Sequence, residues 1–113
     1  MVYDLIAFFI KKMLAECKDN VIGFDTEWKP NYNKDQCNPI SIIQLSSNDL
    51  CLIIHISNML QWTKREELKT LIDLLENPYI LKVGVGLSED IIGLKRDYSI
   101  DCKGFHDNIL TCK

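Results

Sequence analysis

The segment Val21–Trp28 constrains the fold more than any other part of the sequence, because it combines a strand-like apolar run with two acids. Side chains two residues apart in a strand share a face, so Asp25 and Glu27 lie side by side with roughly 7 Å between their backbone positions. The four residues before them, 21–24, are typical of a strand covered on both faces. Two like charges in such a place are unfavourable unless water, hydrogen bonds or a cation compensates them. The pattern therefore predicts a cation site at the carboxyl end of a buried strand.

The spacing of apolar residues elsewhere predicts a mixed α/β chain. Residues recurring at i, i+3, i+4 and i+7 indicate helices, and short runs rich in β-branched residues indicate strands. In chain order the predicted elements are a helix over 4–17, strands over 21–28, 40–45 and 51–56, a helix with a capping box at Thr63 and Glu66, a strand over 81–85, a helix capped by Ser88 that runs to Tyr98, and a strand within 104–110. The polar segment 29–39 is predicted to be a solvent-exposed loop.

The order of these elements predicts where the acids meet. The first three strands form an antiparallel meander, and a right-handed crossover through the next helix makes the fourth strand parallel to the first. The carboxyl ends of strands one and four then share one edge of the sheet. Asp25 and Glu27 lie at that edge, and Asp90 follows in the first turn of the next helix. Three carboxylates are therefore expected to converge at an edge where open α/β sheets bind ligands.

The segment Gly84–Glu89 allows a second interpretation, since it resembles the start of a dinucleotide-binding loop between a strand and a helix. Glu89 stands where that loop needs a third glycine, and together with Asp90 it would repel a pyrophosphate at the helix N-terminus. A cation site suits these acids better. Trp28 also allows two interpretations of equal weight, a core aromatic or a platform on which a nucleobase stacks.

Composition excludes several classes of protein. The 113 residues fit one domain, and 47% apolar with 26% charged residues are typical of a globular protein. A net charge of −3 argues against nucleic-acid binding through bulk positive charge. Five widely spaced cysteines lack the paired spacing of a zinc site and indicate reduced thiols in an intracellular protein, with nucleus and mitochondrion both left open. No apolar run is long enough to predict a membrane span.

Two segments, Val21–Trp28 and Leu81–Tyr98, resemble the first and second motifs of the DEDD superfamily of 3′–5′ exonucleases, in its DEDDy branch. The run Ile40–Leu45 also fits the second strand of such domains, so that the resemblance covers residues 20–110. It implies a ribonuclease H-like α/β fold. In that fold an antiparallel three-stranded meander is followed by parallel strands in one mixed sheet with flanking helices.

The resemblance also implies a chemistry. Asp25, Glu27 and Asp90 correspond to ligands of two divalent cations, Mg²⁺ or Mn²⁺, in a family that hydrolyses phosphodiesters from the 3′ end of DNA or RNA. Carboxylate oxygens are the hard ligands that these cations prefer. Two ions about 3.5 to 4 Å apart can activate the attacking water and stabilise the departing oxygen. Trp28 and Thr26 are the residues expected to contact the nucleic acid.

One part of the family pattern is missing. The family completes its site with Tyr-x-x-x-Asp, or with His-x-x-x-x-Asp in a sister branch, and neither occurs in this sequence. Residues 1–113 are therefore expected to be the front part of a single exonuclease domain that lacks its C-terminal helices. Two functions stay open: a 3′–5′ exonuclease, and a catalytically inactive remnant that binds nucleic acid or a protein partner. The uncovered core is also expected to promote self-association.

Overall fold

The computed structural model describes residues 2–28, 38–60 and 68–107. The predicted helices and strands occur in the predicted order, and one further short helix follows the third strand. They are α1 (Val2–Glu16), β1 (Val21–Trp28), β2 (Ile40–Ser46), β3 (Cys51–Ile54), α2 (Ile56–Met59), α3 (Lys69–Glu76), β4 (Leu81–Gly84), α4 (Leu87–Tyr98) and β5 (Phe105–Asp107). Within this part of the chain, no helix has the length and apolarity needed to cross a membrane.

The five described strands form one mixed sheet in the order β3-β2-β1-β4-β5. Strands β1, β2 and β3 pair antiparallel, as the meander predicts. Strand β4 pairs parallel to β1 on its other side, and β5 pairs parallel to β4. The prediction that strands one and four are parallel neighbours is therefore confirmed.

The two faces of this sheet are covered to different extents. Phe24 pairs with Leu45 and Thr26 with Ile43, and all four side chains are buried. We call the face that these four residues share with Ile22 the covered face. The opposite face, which we call the open face, carries Gly23, Asp25 and Glu27 of β1, Ile42 and Gln44 of β2, and Ile53 of β3. The expectation that β1 is covered on both faces is therefore wrong, because burial alternates along the strand.

The covered face and the four described helices enclose one hydrophobic core. The helical residues in this cluster are Ile10 and Met13 of α1, Ile56 of α2, Leu71, Leu74 and Leu75 of α3, and Leu87 and Leu94 of α4. Each side chain of this size stabilises the fold by roughly 1.5 to 3 kcal/mol when it is fully buried. The apolar stripe that predicted α1 is the side of the helix that packs on the core, with Ile10 and Met13 both fully buried.

Lys82 is a charged residue within the covered face of β4, where it pairs with Ile22. Its side chain is fully buried, and Nζ donates hydrogen bonds to the carbonyl oxygens of Asn77 (2.7 Å) and Lys103 (2.9 Å). Burial lowers the pKa of Lys82 to about 8. The lysine thus ties the segments that precede β4 and β5 to each other, and periodicity alone gives no sign of such a contact.

Two predicted element boundaries differ from the structure. The strand predicted over 51–56 ends at Ile54, and Ile56 instead begins the short helix α2, which buries the Ile56 side chain against the core. The N-cap of α4 is Gly86 and not Ser88. Gly86 has a φ of 70°, a left-handed conformation that glycine adopts without steric cost. The predicted capping box at Thr63 and Glu66 and most of the predicted loop 29–39 lie outside the described residues.

Candidate metal centre

A close approach between β4 and β1 places the start of α4 beside the predicted acids. A Cβ atom at Gly84 would lie 2.4 Å from the carbonyl oxygen of Phe24, so any side chain there would push the two strands apart. Gly86 then turns the chain directly into α4. Glu89 and Asp90 consequently fall in the first helical turn, next to the carboxyl end of β1.

Asp90 is bound to β1 by a side-chain hydrogen bond. The hydroxyl of Thr26 donates to Oδ1 of Asp90 over 2.5 Å, and the two residues are only 4% and 5% exposed. Thr26 stands between Asp25 and Glu27 in the sequence. The structure therefore brings the third predicted acid to the residue that separates the first two.

The electrostatic environment of Asp90 opposes its negative charge. Burial raises the pKa of Asp90 to about 6, and the nearby charges of Asp25, Glu89 and Glu27 add to the increase. The hydrogen bond from Thr26 acts in the opposite direction without cancelling these effects. The neighbouring acids thus disfavour the ionised form of Asp90, and a bound cation would offset this repulsion.

The three predicted ligands do not surround a common point in the structure. Thr26 lies on the covered face, whereas Asp25 and Glu27 lie on the open face, half-buried and exposed respectively. Within residues 2–28, 38–60 and 68–107, no three His, Cys, Asp or Glu side chains are close enough together to hold a metal ion. The donor chemistry and the charge fit Mg²⁺ or Mn²⁺, since all three groups are carboxylates that repel one another. The assignment of Asp25, Glu27 and Asp90 as ligands stays a prediction.

The two residues predicted to contact substrate have different environments. Trp28 is 37% exposed, and the pairing register with β2 shifts between Glu27 and Trp28. It is therefore not a core aromatic, and its role as a stacking platform stays a prediction. Thr26 is buried and its hydroxyl is already bonded to Asp90, so it offers no surface to a substrate. Its hydroxyl instead orients the carboxyl group of Asp90. No periodicity argument could find this contact.

A groove of about 530 Å³ opens at the opposite, amino end of β1. It is lined by 16–19, Val21, Gly23, 46–49 and Val83, and none of the three predicted ligands is among them. Three acids, Glu16, Asp19 and Asp49, face a single base there, Lys18. The groove is therefore separate from the acidic edge at which the predicted ligands lie.

Comparison with known sequences identifies the family. The sequence model described as 3′–5′ exonuclease matches residues 5–113. The chain belongs to the 3′–5′ exonuclease family. It is 36% identical over 87 residues to the mouse bifunctional 3′-5′ exonuclease/ATP-dependent helicase WRN, covering 76% of this chain and 6% of that protein. It is also 36% identical over 88 residues to human exonuclease 3′-5′ domain-containing protein 2, covering 77% of this chain and 14% of that protein.

Solved structures of this exonuclease family have the same fold. The EXD2 exonuclease domain soaked in Mg and GMP superposes with a TM-score of 0.77 at 32% identity, covering 96% of this chain and 52% of that one. A crystal of the same domain soaked in Mn and Mg also gives a TM-score of 0.77. The fold is therefore ribonuclease H-like, as the resemblance implied. The chain spans about half the length of the solved domain that it matches.

Proposed function

We propose that this chain acts as a 3′–5′ exonuclease that hydrolyses nucleic-acid phosphodiesters with the help of Mg²⁺ or Mn²⁺. Family membership supports 3′–5′ exonuclease activity in general. The observation that carries the proposal for this chain is the hydrogen bond of Asp90 to Thr26, the residue between Asp25 and Glu27. This hydrogen bond brings Asp90 of α4 to the strand that carries Asp25 and Glu27. Thr26 and Asp90 are 64 positions apart in the sequence.

In this proposal Asp25, Glu27 and Asp90 hold the divalent cations, and Thr26 orients the carboxyl group of Asp90. A bound divalent cation would supply electrostatic stabilisation of a phosphodiester undergoing attack by water. Trp28, partly exposed at the end of β1, would stack on the terminal base. The acids of the edge repel a phosphate backbone until a cation neutralises them, so nucleic-acid binding would itself depend on the metal.

The direct test is an end-labelled oligonucleotide, single-stranded or with a 3′ overhang, incubated with the protein and Mn²⁺. We expect a ladder of products shortened from the 3′ end. The double variant Asp25→Ala, Glu27→Ala should lose the ladder. The matched control is Asp73→Asn, which removes an exposed acid that pairs with Lys69 on α3 and should leave the ladder unchanged. Degradation by the double variant at the wild-type rate would refute both the ligand assignment and the nuclease function.

A second function, binding without hydrolysis, is favoured by one specific observation. Among the residues that the structure describes, no three His, Cys, Asp or Glu side chains lie close enough together to hold a metal ion. A protein with this second function would bind the oligonucleotide, or a protein partner, and leave it intact. Oligonucleotide retained in a gel shift with Mn²⁺, without any shortened product, would favour this function over the enzyme.

Self-association is a further part of the proposal. Ile53 of β3, Leu81 of β4 and Val85 after β4 are 56%, 37% and 64% exposed. Ile53 lies on β3, an edge strand of the described sheet, and an exposed edge strand can pair with another chain. Sedimentation velocity over a range of protein concentrations measures this directly, and a monomer at every concentration would contradict it.

A further inference from the structure

Helix α4 is attached to the sheet at both of its ends. Near its N-terminus Asp90 accepts the hydrogen bond of Thr26 on β1. In its last turn the carboxylate of Asp97 accepts a hydrogen bond from the backbone N–H of Ile40 over 2.9 Å, and the hydroxyl of Tyr98 donates to the carbonyl oxygen of the same residue. Ile40 is fully buried and is the first residue of β2. The helix is thus bonded to two neighbouring strands.

The two attachments lie on one side of the helix. Asp90 and Asp97 are seven residues apart, which is about two helical turns or roughly 10 Å. Gly93 lies between them, and a Cβ atom there would come within 2.9 Å of Cδ1 of Ile40. Ile40 also pairs with Trp28 in the sheet, next to the end of β1 that carries the acids. Sliding or rotation of α4 on the sheet would therefore break contacts at both ends.

Asp97 is a charged anchor in the last turn of α4. Burial opposes its ionisation, but hydrogen bonds from Arg96 and from the Ile40 amide together keep the pKa of Asp97 below its ordinary value. Nε of Arg96 lies 2.8 Å from Oδ1 of Asp97. A hydrogen bond to an ionised acceptor is about twice as strong as a neutral one, so the Ile40 contact is suited to holding the helix in place.

We propose that Asp97 and Tyr98 are positioning residues for the candidate metal centre. They fix α4 against the start of β2, and this sets where the Asp90 carboxyl group stands relative to Asp25 and Glu27. Both residues act through the helix and its attachment to Ile40. The inference rests on the proposed function, since it requires that Asp90 contributes to binding a divalent cation.

The test measures Mn²⁺ binding from the free-ion signal in electron paramagnetic resonance, together with hydrogen exchange at the Ile40 amide. We expect Asp97→Ala to weaken Mn²⁺ binding about tenfold or more, within the range seen when residues that orient metal ligands are removed. Tyr98→Phe, which deletes one hydroxyl group, should weaken it less. Both variants should exchange faster at Ile40. Asp97→Asn keeps an oxygen acceptor and should restore most of the affinity.

A double-mutant cycle separates positioning from general loss of structure. In an Asp90→Ala background, Asp97→Ala should cause no further loss of Mn²⁺ affinity, because the group that it positions is gone. Asp73→Ala on α3 is the matched control and should bind Mn²⁺ like the wild type. If Asp97→Ala prevents folding, Tyr98→Phe replaces it in the same cycle and tests whether the effect on Mn²⁺ affinity depends on Asp90.

Two sets of outcomes would refute different statements. Wild-type Mn²⁺ affinity in Tyr98→Phe and Asp97→Ala, with faster exchange at Ile40, would overturn the positioning role and leave the proposed function intact. The positioning role would also be overturned if Asp97→Ala lowered Mn²⁺ affinity equally in the wild type and in the Asp90→Ala background. If the wild-type protein does not bind Mn²⁺, or Asp90→Ala binds it equally well, the proposed function fails and the positioning role fails with it.

Discussion

The covered and open faces of the sheet are made from alternate residues of the same strands, but they differ in what they contribute. On the covered face Ile22 and Phe24 are 0% and 4% exposed and belong to the core. On the open face Asp25 is half-buried and Glu27 is exposed. Neighbouring residues of a strand point to opposite faces, so β1 supplies buried side chains at positions 22, 24 and 26 and acidic groups at positions 25 and 27.

Thr26 shows where this division breaks down. It is the polar residue of β1 on the covered face, and its buried hydroxyl is bonded to Asp90. The proposed metal centre would therefore draw on both faces at the end of the strand, with two acids from one and a hydrogen-bond donor from the other. Changes at single positions test this difference between the two faces.

The largest effect is expected on the covered face. Phe24→Ala removes a nearly fully buried aromatic side chain and should lower the free energy of unfolding by about 3 to 5 kcal/mol. Asp25→Asn, the neighbour on the open face, should leave it unchanged or raise it slightly, because it removes one of several like charges. Urea unfolding followed by circular dichroism measures both. Equal destabilisation by the two changes would show that the faces are not distinct.

The next effect concerns pH, because the folded protein holds the Asp90 proton more tightly than the unfolded chain does. The pKa of Asp90 is about 6 in the folded protein and 3.8 in the unfolded chain. The protonated Asp90 side chain therefore stabilises the fold fully below pH 4, and this stabilisation is lost as the pH rises through 6. The loss is on the order of 3 kcal/mol at most. We expect stability without divalent cations to fall over this range in the wild type and to fall less in Asp90→Asn. Parallel pH profiles would contradict the assignment.

A smaller effect is expected at the residue that joins the two faces. Thr26→Val keeps the shape of the side chain but leaves the buried Asp90 carboxyl group without its donor, at a cost of about 1 to 3 kcal/mol. Thr26→Ser keeps a hydroxyl group and should lose less stability. The variant with valine should also raise the pKa of Asp90 further, which a carbon-13 carboxyl titration by nuclear magnetic resonance would detect. An unchanged pKa would show that the hydrogen bond contributes nothing.

The smallest change in stability is expected on the open face of the edge strand β3. Ile53 is 56% exposed, so Ile53→Lys should change the free energy of unfolding by no more than about 0.5 kcal/mol. It should nevertheless reduce self-association in sedimentation velocity, because a charge on an edge strand opposes pairing with another chain. The covered-face variant Ile54→Lys should instead unfold the protein, since Ile54 is 3% exposed. If self-association were unchanged in Ile53→Lys, the surface through which the chains associate would not include β3.

Much of the fold could be read from local patterns. The i, i+3, i+4 stripe predicted α1, and the β-branched runs predicted β2 and β3 with their antiparallel pairing. The start of α4 was misplaced, because a serine at position 88 is a common N-cap while the cap used is a left-handed glycine at position 86. The coverage of β1 was also misjudged, since the run Val21–Phe24 gives no information about which neighbours cover each face.

Local sequence patterns were enough to predict that two acids share one face of a strand and that a third lies in the first turn of the helix after the parallel strand, because strand alternation and chain topology follow from backbone geometry. The hydrogen bond from Thr26 to Asp90 and the attachment of α4 at Ile40 became known only from the folded arrangement of the chain. These contacts join residues 57 and 64 positions apart. Hydrogen bonds of a few ångströms depend on how whole elements pack, and no local pattern of residue types encodes that packing.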